Sequence, residues 1–395
     1  VGCKPVPDKL RIGFVTIHAA DDHSAYSGTS FAMRQALRSH GGVTVVDIDR
    51  LHTPCYPLWR AKQAAYWFGF GRRYWMNREP VVVASYATQV EQKLASVGPV
   101  DVLMSPGSIP LARYTGAVPT VFWSDATFDC LADFYPEASD FSAETRADGH
   151  LLEQDALRTC TLAIYSSNWA LESAKNTYRA APHKLAMVPY GANIDPQSGP
   201  PATDIAAQRR LGGPRRLLFI GGNWQRKGGD LAVNAVAELV RHGHDVALDI
   251  VGCDPPGPVP GFVTKHGFFD KRSPAARNRL AALFREASLL ILPTRADCVP
   301  MVIAEAYAYG LPVAVTNVGG VSSVVEDGVT GRLLPLAADA QAWAAAVAGI
   351  LTPHDRHQAM ARAARSVFCR SLNWPAAVDR VVNLLQAHCC SAHAA

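Results

Sequence analysis

LLILPTRADCVPMVIAEAYAYGLPVAVTNVGGVSSVVEDGVTGRLL, residues 289–334, decides the reading of this chain. Its short apolar opening, closed by Pro293, reads as a strand buried on both faces. A polar loop follows, and a helix begins near Pro300; proline suits a first helical turn because its missing N–H costs little there. The N–H groups of Met301 and Val302 have no acceptor within the helix and face the loop, so the helix start attracts a diphosphate. Asp297 lies just before that start and Glu305 about five residues inside it, ~7.5 Å along the axis at 1.5 Å per residue. A diphosphate between them leaves one carboxylate for each end of a ligand, and sugar and ribose hydroxyls donate to carboxylates. The layout suits a nucleotide diphosphate-sugar.

Working outward, LLFIGGNWQRKGGD (217–230) runs a strand into a glycine pair, then Arg226 and Lys227, then a helix. Two cations here suit a leaving nucleoside diphosphate, which gains negative charge as the glycosidic bond breaks. The plainer alternative is a solvated helix start with two exposed cations. Further strands are predicted at 246–251, 263–266 and 312–316. Upstream, PQSGPPAT (196–203) reads as a linker. Before it the pattern starts with a strand at 11–17, a loop of small and polar residues, a helix from Thr29 and a strand at 43–47. Strands at 100–105, 119–122, 161–166 and 184–188 follow, alternating with helices. Repeated βαβ units imply parallel sheets. The fold class is therefore α/β, with two Rossmann-like parallel-sheet domains in tandem. Facing each other across a cleft, they would hold a ligand between them. Gly28, in the loop after the first strand, either lets backbone approach a ligand or simply starts the helix.

Residues 289–334 resemble the signature of the family 4 retaining glycosyltransferases, which have the GT-B fold. That family carries two glutamates with seven residues between them, an alanine-rich helix, a G-x-P-V strand, a G-G turn and a D-G-x-x-G turn. The matching positions are Asp297, Glu305–Ala306, Gly310–Val313, Gly319–Gly320 and Asp327–Gly331. The resemblance implies transfer of a sugar from a nucleotide diphosphate-sugar to a hydroxyl with retention, no permanently bound cofactor and no metal. Asp297 would hold the transferred sugar, Glu305 the donor ribose, and Lys227 the diphosphate. Arg226 would stand in for an arginine whose usual place is Gly222. Gly267 and Phe268, in TKHGFFD (264–270), would lie against the nucleobase; a buried Phe in a core loop is the alternative. Asp125, in VFWSDATF (121–128), occupies the place of a family histidine. It would meet a sugar hydroxyl or help an acceptor lose its proton, unless it caps a helix. Asp for the first glutamate, Pro300 for a glycine, and Ser322–Ser323 for a glutamate depart from the pattern and leave the sugar open. The domains implied are 1–198, with a last helix over 375–395 packed back on it, and 199–374 for the donor. A nucleotide-sugar epimerase or hydrolase of the same fold, and a non-catalytic scaffold, are the rival readings. A dehydrogenase lacks support because no G-x-G-x-x-G follows the first strand.

The bulk numbers agree. A chain of 395 residues with 18% charged residues suits two globular domains rather than a disordered chain. The net charge of +4 gives no case for nucleic acid. Up to residue 200 there are 18 basic and 19 acidic residues, and beyond it 20 and 15, so the second half suits an anionic ligand. Nine scattered cysteines without a C-x-x-C pair predict neither disulfide framework nor zinc site and suit the cytoplasm. The opening VGCKPVPDK lacks the apolar core of a secretory signal and reads as a trimmed start. No apolar run is long enough for a membrane span. The expected acceptor is a saccharide, glycolipid or small molecule. Residues 57–80 mix seven aromatic and five basic residues with one acid. They read as a helix packing its rings into the core, a platform for the acceptor, or a peripheral membrane patch. Residues 125–155 carry nine carboxylates and one arginine, either a solvated helix face or a site for a cationic acceptor.

Overall fold

A computed structural model describes residues 9–23, 28–194 and 214–392. The linker read at 196–203 lies outside them. The chain divides into two compact units, Val1–Tyr190 with Trp374–Ala395, and Gly191–Asn373.

In the first unit the elements run β1 (Leu10–Val15), α1 (Thr29–Ser39), β2 (Val43–Ile48), α2 (Tyr56–Phe70), α3 (Pro80–Val97), β3 (Val102–Ser105), β4 (Thr120–Ser124), α4 (Phe128–Leu131), α5 (Ala143–Thr159), β5 (Leu162–Tyr165), α6 (Asn168–Asn176) and β6 (Leu185–Met187). The six strands pair in parallel in the order β2-β1-β3-β4-β5-β6. Alternation along each strand sends successive side chains to opposite faces. Leu103, Phe122, Ala163 and Tyr165 face a core shared with α3, α5 and α6. Phe14, Met104, Trp123 and Ile164 face a second core covered by α1 and the last helix of the chain. That last helix buries Trp374, Ala377, Val378, Val381, Val382 and Leu385, a spacing that lies along one helical face. Its Trp374 meets Trp123 edge to face at 5.8 Å, and the Trp123 indole N–H donates to Val188 O at 2.9 Å.

The second unit runs β7 (Arg215–Ile220), α7 (Trp224–Lys227), α8 (Gly229–Arg241), β8 (Val246–Val251), β9 (Val263–Lys265), α9 (Pro274–Glu286), β10 (Leu289–Leu292), α10 (Met301–Ala308), β11 (Val313–Thr316), β12 (Gly331–Leu334), α11 (Ala340–Leu351) and α12 (His354–Ser371); α13 (Trp374–Ala392) belongs to the first unit. The sheet order is β9-β8-β7-β10-β11-β12, again all parallel. Strands β10 and β11 are buried at every position, as a parallel sheet covered on both faces requires. Strand β12 was not legible, because its residues read as the end of a glycine turn.

Two expectations hold only in part. Of the rings in 57–80, Trp59 packs against the core and Tyr74 is buried, but α2 has no fully buried residue, and Leu58, Trp67, Phe68 and Phe70 stand exposed. Nor is 125–155 a simple solvated face. Glu153 is buried with Ser108 Oγ donating to it at 2.7 Å, Asp155 lies 3.0 Å from Arg113, and Glu144 pairs with Lys62. Among the described residues, Cys55, Cys130, Cys160, Cys253, Cys298 and Cys369 are unbridged, and no helix is long and apolar enough to cross a membrane.

Candidate active site

The order of the second sheet reverses between β7 and β10, and ligands of open α/β sheets bind outside the carboxyl ends of the strands at such a point. The loops leaving these two strands carry most of the residues singled out from sequence.

After β7 the chain turns through Gly221 and Gly222 into the single turn of α7, whose start is capped by Asn223 Oδ1 accepting from Arg226 N at 2.9 Å. A Cβ at Gly221 would sit 2.7 Å from Lys227 Cγ, so a glycine there makes room for the lysine stem. Gly228 then breaks the helix with φ +74, and a Cβ on it would stand 1.9 Å from Pro293 O. The corner between α7 and α8 thus lies directly on the loop leaving β10. Arg295 N donates to Arg226 O at 2.7 Å, and the Arg295 guanidinium grips Asp230 through two bonds of 2.9 and 2.8 Å. Those bonds, together with the Arg295 charge, hold the Asp230 carboxyl below its usual range. Gly228→Ala should therefore cost about 2–4 kcal/mol, through a left-handed backbone that disfavours a side chain and a clash with backbone. Urea unfolding checks this; an unchanged midpoint would mean that the corner has slack.

The clamp brings Arg226, Lys227 and Asp297 together. Lys227 Nζ donates to Asp297 Oδ2. Arg226 donates from one terminal nitrogen to Ala296 O at 2.8 Å, and the same nitrogen lies 3.6 Å from Asp297 Oδ2. All three side chains are largely buried, so the reading of two solvated cations is overturned. The first residues of α10 are Met301, half-buried, and Val302, buried, with Pro300 as the extended cap before them. Gly320 N donates to Cys298 O at 2.6 Å, so the G-G turn fixes the loop that leads into this helix. Glu305, on α10, is buried, and Lys271 Nζ donates to its Oε1 at 2.5 Å. Lys271 was missed from sequence. It stands 34 positions before Glu305, and no spacing rule joins a loop lysine to a helical glutamate.

The remaining sites divide. Gly267 has φ +68 and its carbonyl accepts from Gly252 N at 2.9 Å, while Phe268 is 80% exposed, which overturns the core-loop alternative. Gly28 caps α1 with φ +81 in the loop after β1, at the order reversal of the first sheet; residues 24–27 of that loop lie outside the description. Asp125 follows β4 and is half-buried, and the cap of α4 is Thr127, not Asp125. One acidic group able to approach a cation, Glu79, Glu144 and Asp148, lies in the first unit, where Lys62 already pairs with Glu79 and Glu144. Burial first, and those neighbouring carboxylates second, push Asp148 up.

Residues 214–353 match the sequence model of the family Glycosyl transferases group 1. Over that stretch the second unit is similar to the group 1 glycosyl transferases. A stretch of 223 residues is 29% identical to D-inositol 3-phosphate glycosyltransferase of Thermobispora bispora, covering 52% of this chain and 51% of that protein. The chain therefore spans about half the length of such relatives. Over both units, its fold is that of GT-B glycosyltransferases. Sucrose-phosphate synthase of Thermosynechococcus elongatus is similar with a TM-score of 0.67 at 17% identity, covering 96% of this chain and 99% of that one. Anabaena Alr3699/HepE in complex with UDP-glucose gives 0.61 at 15% identity, covering 96% and 100%. At these identities the likeness concerns the fold. The matched stretch carries its two cations, its paired carboxylate and its helix start at one sheet reversal.

Proposed function

We propose that the protein is a retaining glycosyltransferase that moves a sugar from a nucleoside diphosphate-sugar to a hydroxyl of a saccharide, glycolipid or small-molecule acceptor. The observation that carries this reading is the cluster of Lys227, Arg226 and Asp297 at the reversal between β7 and β10, opposite the start of α10. An ammonium has three donors, and Lys227 spends one on Asp297, which leaves two for diphosphate oxygens. Arg226 and the first N–H groups of α10, from Met301 and Val302, add charge and donors where the leaving diphosphate becomes more negative. The account requires no metal for that charge. Asp297 accepts from a hydroxyl of the transferred sugar. Glu305 accepts from the ribose, since a carboxylate has room for several donors beyond Lys271. Gly267 and Phe268 lie against the base. In the reaction, the acceptor oxygen bonds to the anomeric carbon on the face from which the diphosphate departs. The bond to the phosphate oxygen breaks, and that oxygen takes the acceptor's proton. UDP- and GDP-sugars head the donor candidates, and the relatives' name makes an inositol phosphate one acceptor to try. Asp125 is assigned to a sugar or acceptor hydroxyl.

Glu305→Gln keeps the volume and removes the charge. Affinity for the free nucleoside diphosphate should fall by about tenfold or more, the worth of a hydrogen bond to a charged group. Unchanged affinity takes Glu305 off the ribose. The reading as a whole is tested by following nucleoside diphosphate release from a panel of UDP- and GDP-sugars with and without acceptors. Release that needs an acceptor, with the product keeping the donor's anomeric configuration, supports it. Release or donor isomerisation without any acceptor points to a hydrolase or epimerase.

A further inference from the structure

The pair of Lys271 and Glu305 is lopsided. The Glu305 side chain is 3% exposed, whereas that of Lys271, whose Nζ donates to Glu305 Oε1 at 2.5 Å, is 46% exposed. The ammonium therefore stands on the solvent side of the carboxylate, and a group that reaches Glu305 from solvent meets Lys271 with it. An ammonium has three donors, and Glu305 takes one of them. The backbone beneath the lysine is braced. Arg277 donates from one terminal nitrogen to Lys271 O at 2.9 Å and to Arg272 O at 3.0 Å. Ser273 N donates to Asp270 O at 2.9 Å, and Ser273 caps α9. The Lys271 side chain can turn toward a ligand while its Cα stays in place.

Position indicates what the lysine meets. Lys271 follows closely on the Gly267–Phe268 turn assigned to the base, and Glu305 lies on the second turn of α10, whose start is assigned to the diphosphate. A ribose joins base to diphosphate, so it passes between those two places, where this ion pair lies. The two vicinal hydroxyls of a ribose each donate one hydrogen and accept through the oxygen. A carboxylate only accepts, so Glu305 satisfies the hydrogens and leaves the oxygens without donors. Lys271 holds the donors that complete the match. A latch that swings aside on binding fits less well, because the bonds of Arg277 and Ser273 hold the backbone on either side of the lysine.

We propose that Lys271 reads the ribose directly: Glu305 accepts from the hydroxyls, Lys271 donates to their oxygens, and the pair selects nucleotides that carry the diol over those that lack it. This inference rests on the proposed placing of the diphosphate and the base.

The full chain is titrated calorimetrically with UDP, GDP and ADP, with their 2′,3′-dideoxy counterparts, and with inorganic pyrophosphate. The parent should bind its ribonucleotide about tenfold or more tighter than the dideoxy counterpart. Lys271→Met should weaken ribonucleotide binding by about tenfold, shrink that preference to a similar degree, and leave pyrophosphate affinity within about twofold. Lys271→Gln, which keeps donors without the charge, should recover part of the loss. Glu305→Gln removes the buried charge that Lys271→Met leaves unpaired, and in that background Lys271→Met should still cost about threefold or more. Equal losses for nucleotide and pyrophosphate overturn the proposal and make Lys271 a phosphate contact. No further loss beside Glu305→Gln also overturns it and reduces Lys271 to a prop for the carboxylate. Tighter binding by Lys271→Met overturns it in favour of a latch. A parent that binds none of the nucleotides and no pyrophosphate brings down the donor-site reading itself; a parent that binds them, with variants that keep its preference for the diol, brings down this inference alone.

Discussion

Lys227→Met should lower the affinity for nucleoside diphosphate by about ten- to a hundredfold, and turnover by a further factor, to about a thousandfold in all. Methionine keeps the stem that passes over Gly221 and removes only the ammonium. The extra loss in turnover follows from timing. The diphosphate carries more charge in the transition state than in the bound donor, so a cation aimed at it contributes more there than in the ground state. Removing the ammonium also leaves Asp297 in a largely buried place with Arg226, at 3.6 Å, as its remaining cation among the described residues, so a lower melting temperature is expected as well. Titration of the folded variant separates the two effects. Equal affinity for the diphosphate in parent and variant would remove Lys227 from the ligand.

Asp297→Asn should behave in the opposite sense. The amide keeps the shape and an acceptor oxygen but removes a negative charge that touches Lys227 and lies near Arg226. A diphosphate approaching those cations is then repelled less, so its affinity should hold or rise. Turnover should fall by about a hundredfold or more if, as proposed, Asp297 orients the transferred sugar through its charge. Kinetics with a sugar donor, set beside calorimetry with the bare diphosphate, reads the two effects separately. If affinity and turnover drop by the same factor, Asp297 acts through Lys227 alone and not on the sugar.

Much of this was legible in the sequence, and the reason is local. Strands β7, β8 and β10 are short apolar runs closed by glycine or proline, so their ends could be placed within a residue. Loops that leave parallel strands at one edge converge, which is why Lys227 and Asp297, 70 positions apart, could be assigned to one site before their contact was seen. Pairings without a periodic signal were not legible. Lys271 on Glu305 and Arg295 on Asp230 join loops whose approach depends on the sheet order and on the close passage of Gly228 over Pro293. The orientation of α2 misled for a different reason. A helix rich in tryptophan, tyrosine and phenylalanine reads as a core element, yet Trp59 packs on the core beside Lys62, Gln63 and Tyr66, whose polar ends are held by Glu79, Tyr74 and Glu144, while Trp67, Phe68 and Phe70 stay exposed. Asp125 was likewise a plausible cap by residue type, yet Thr127 stands where the N–H of Cys130 can be met.

Calorimetric titration of the full chain with UDP, GDP, ADP and dTDP tests the central claim most directly, namely that residues 217–334 form a site for a nucleoside diphosphate. The account predicts selective binding of one of the four and its loss in Lys227→Met. Failure of all four to bind, with and without magnesium, would contradict it and leave the second unit a fold without a donor site.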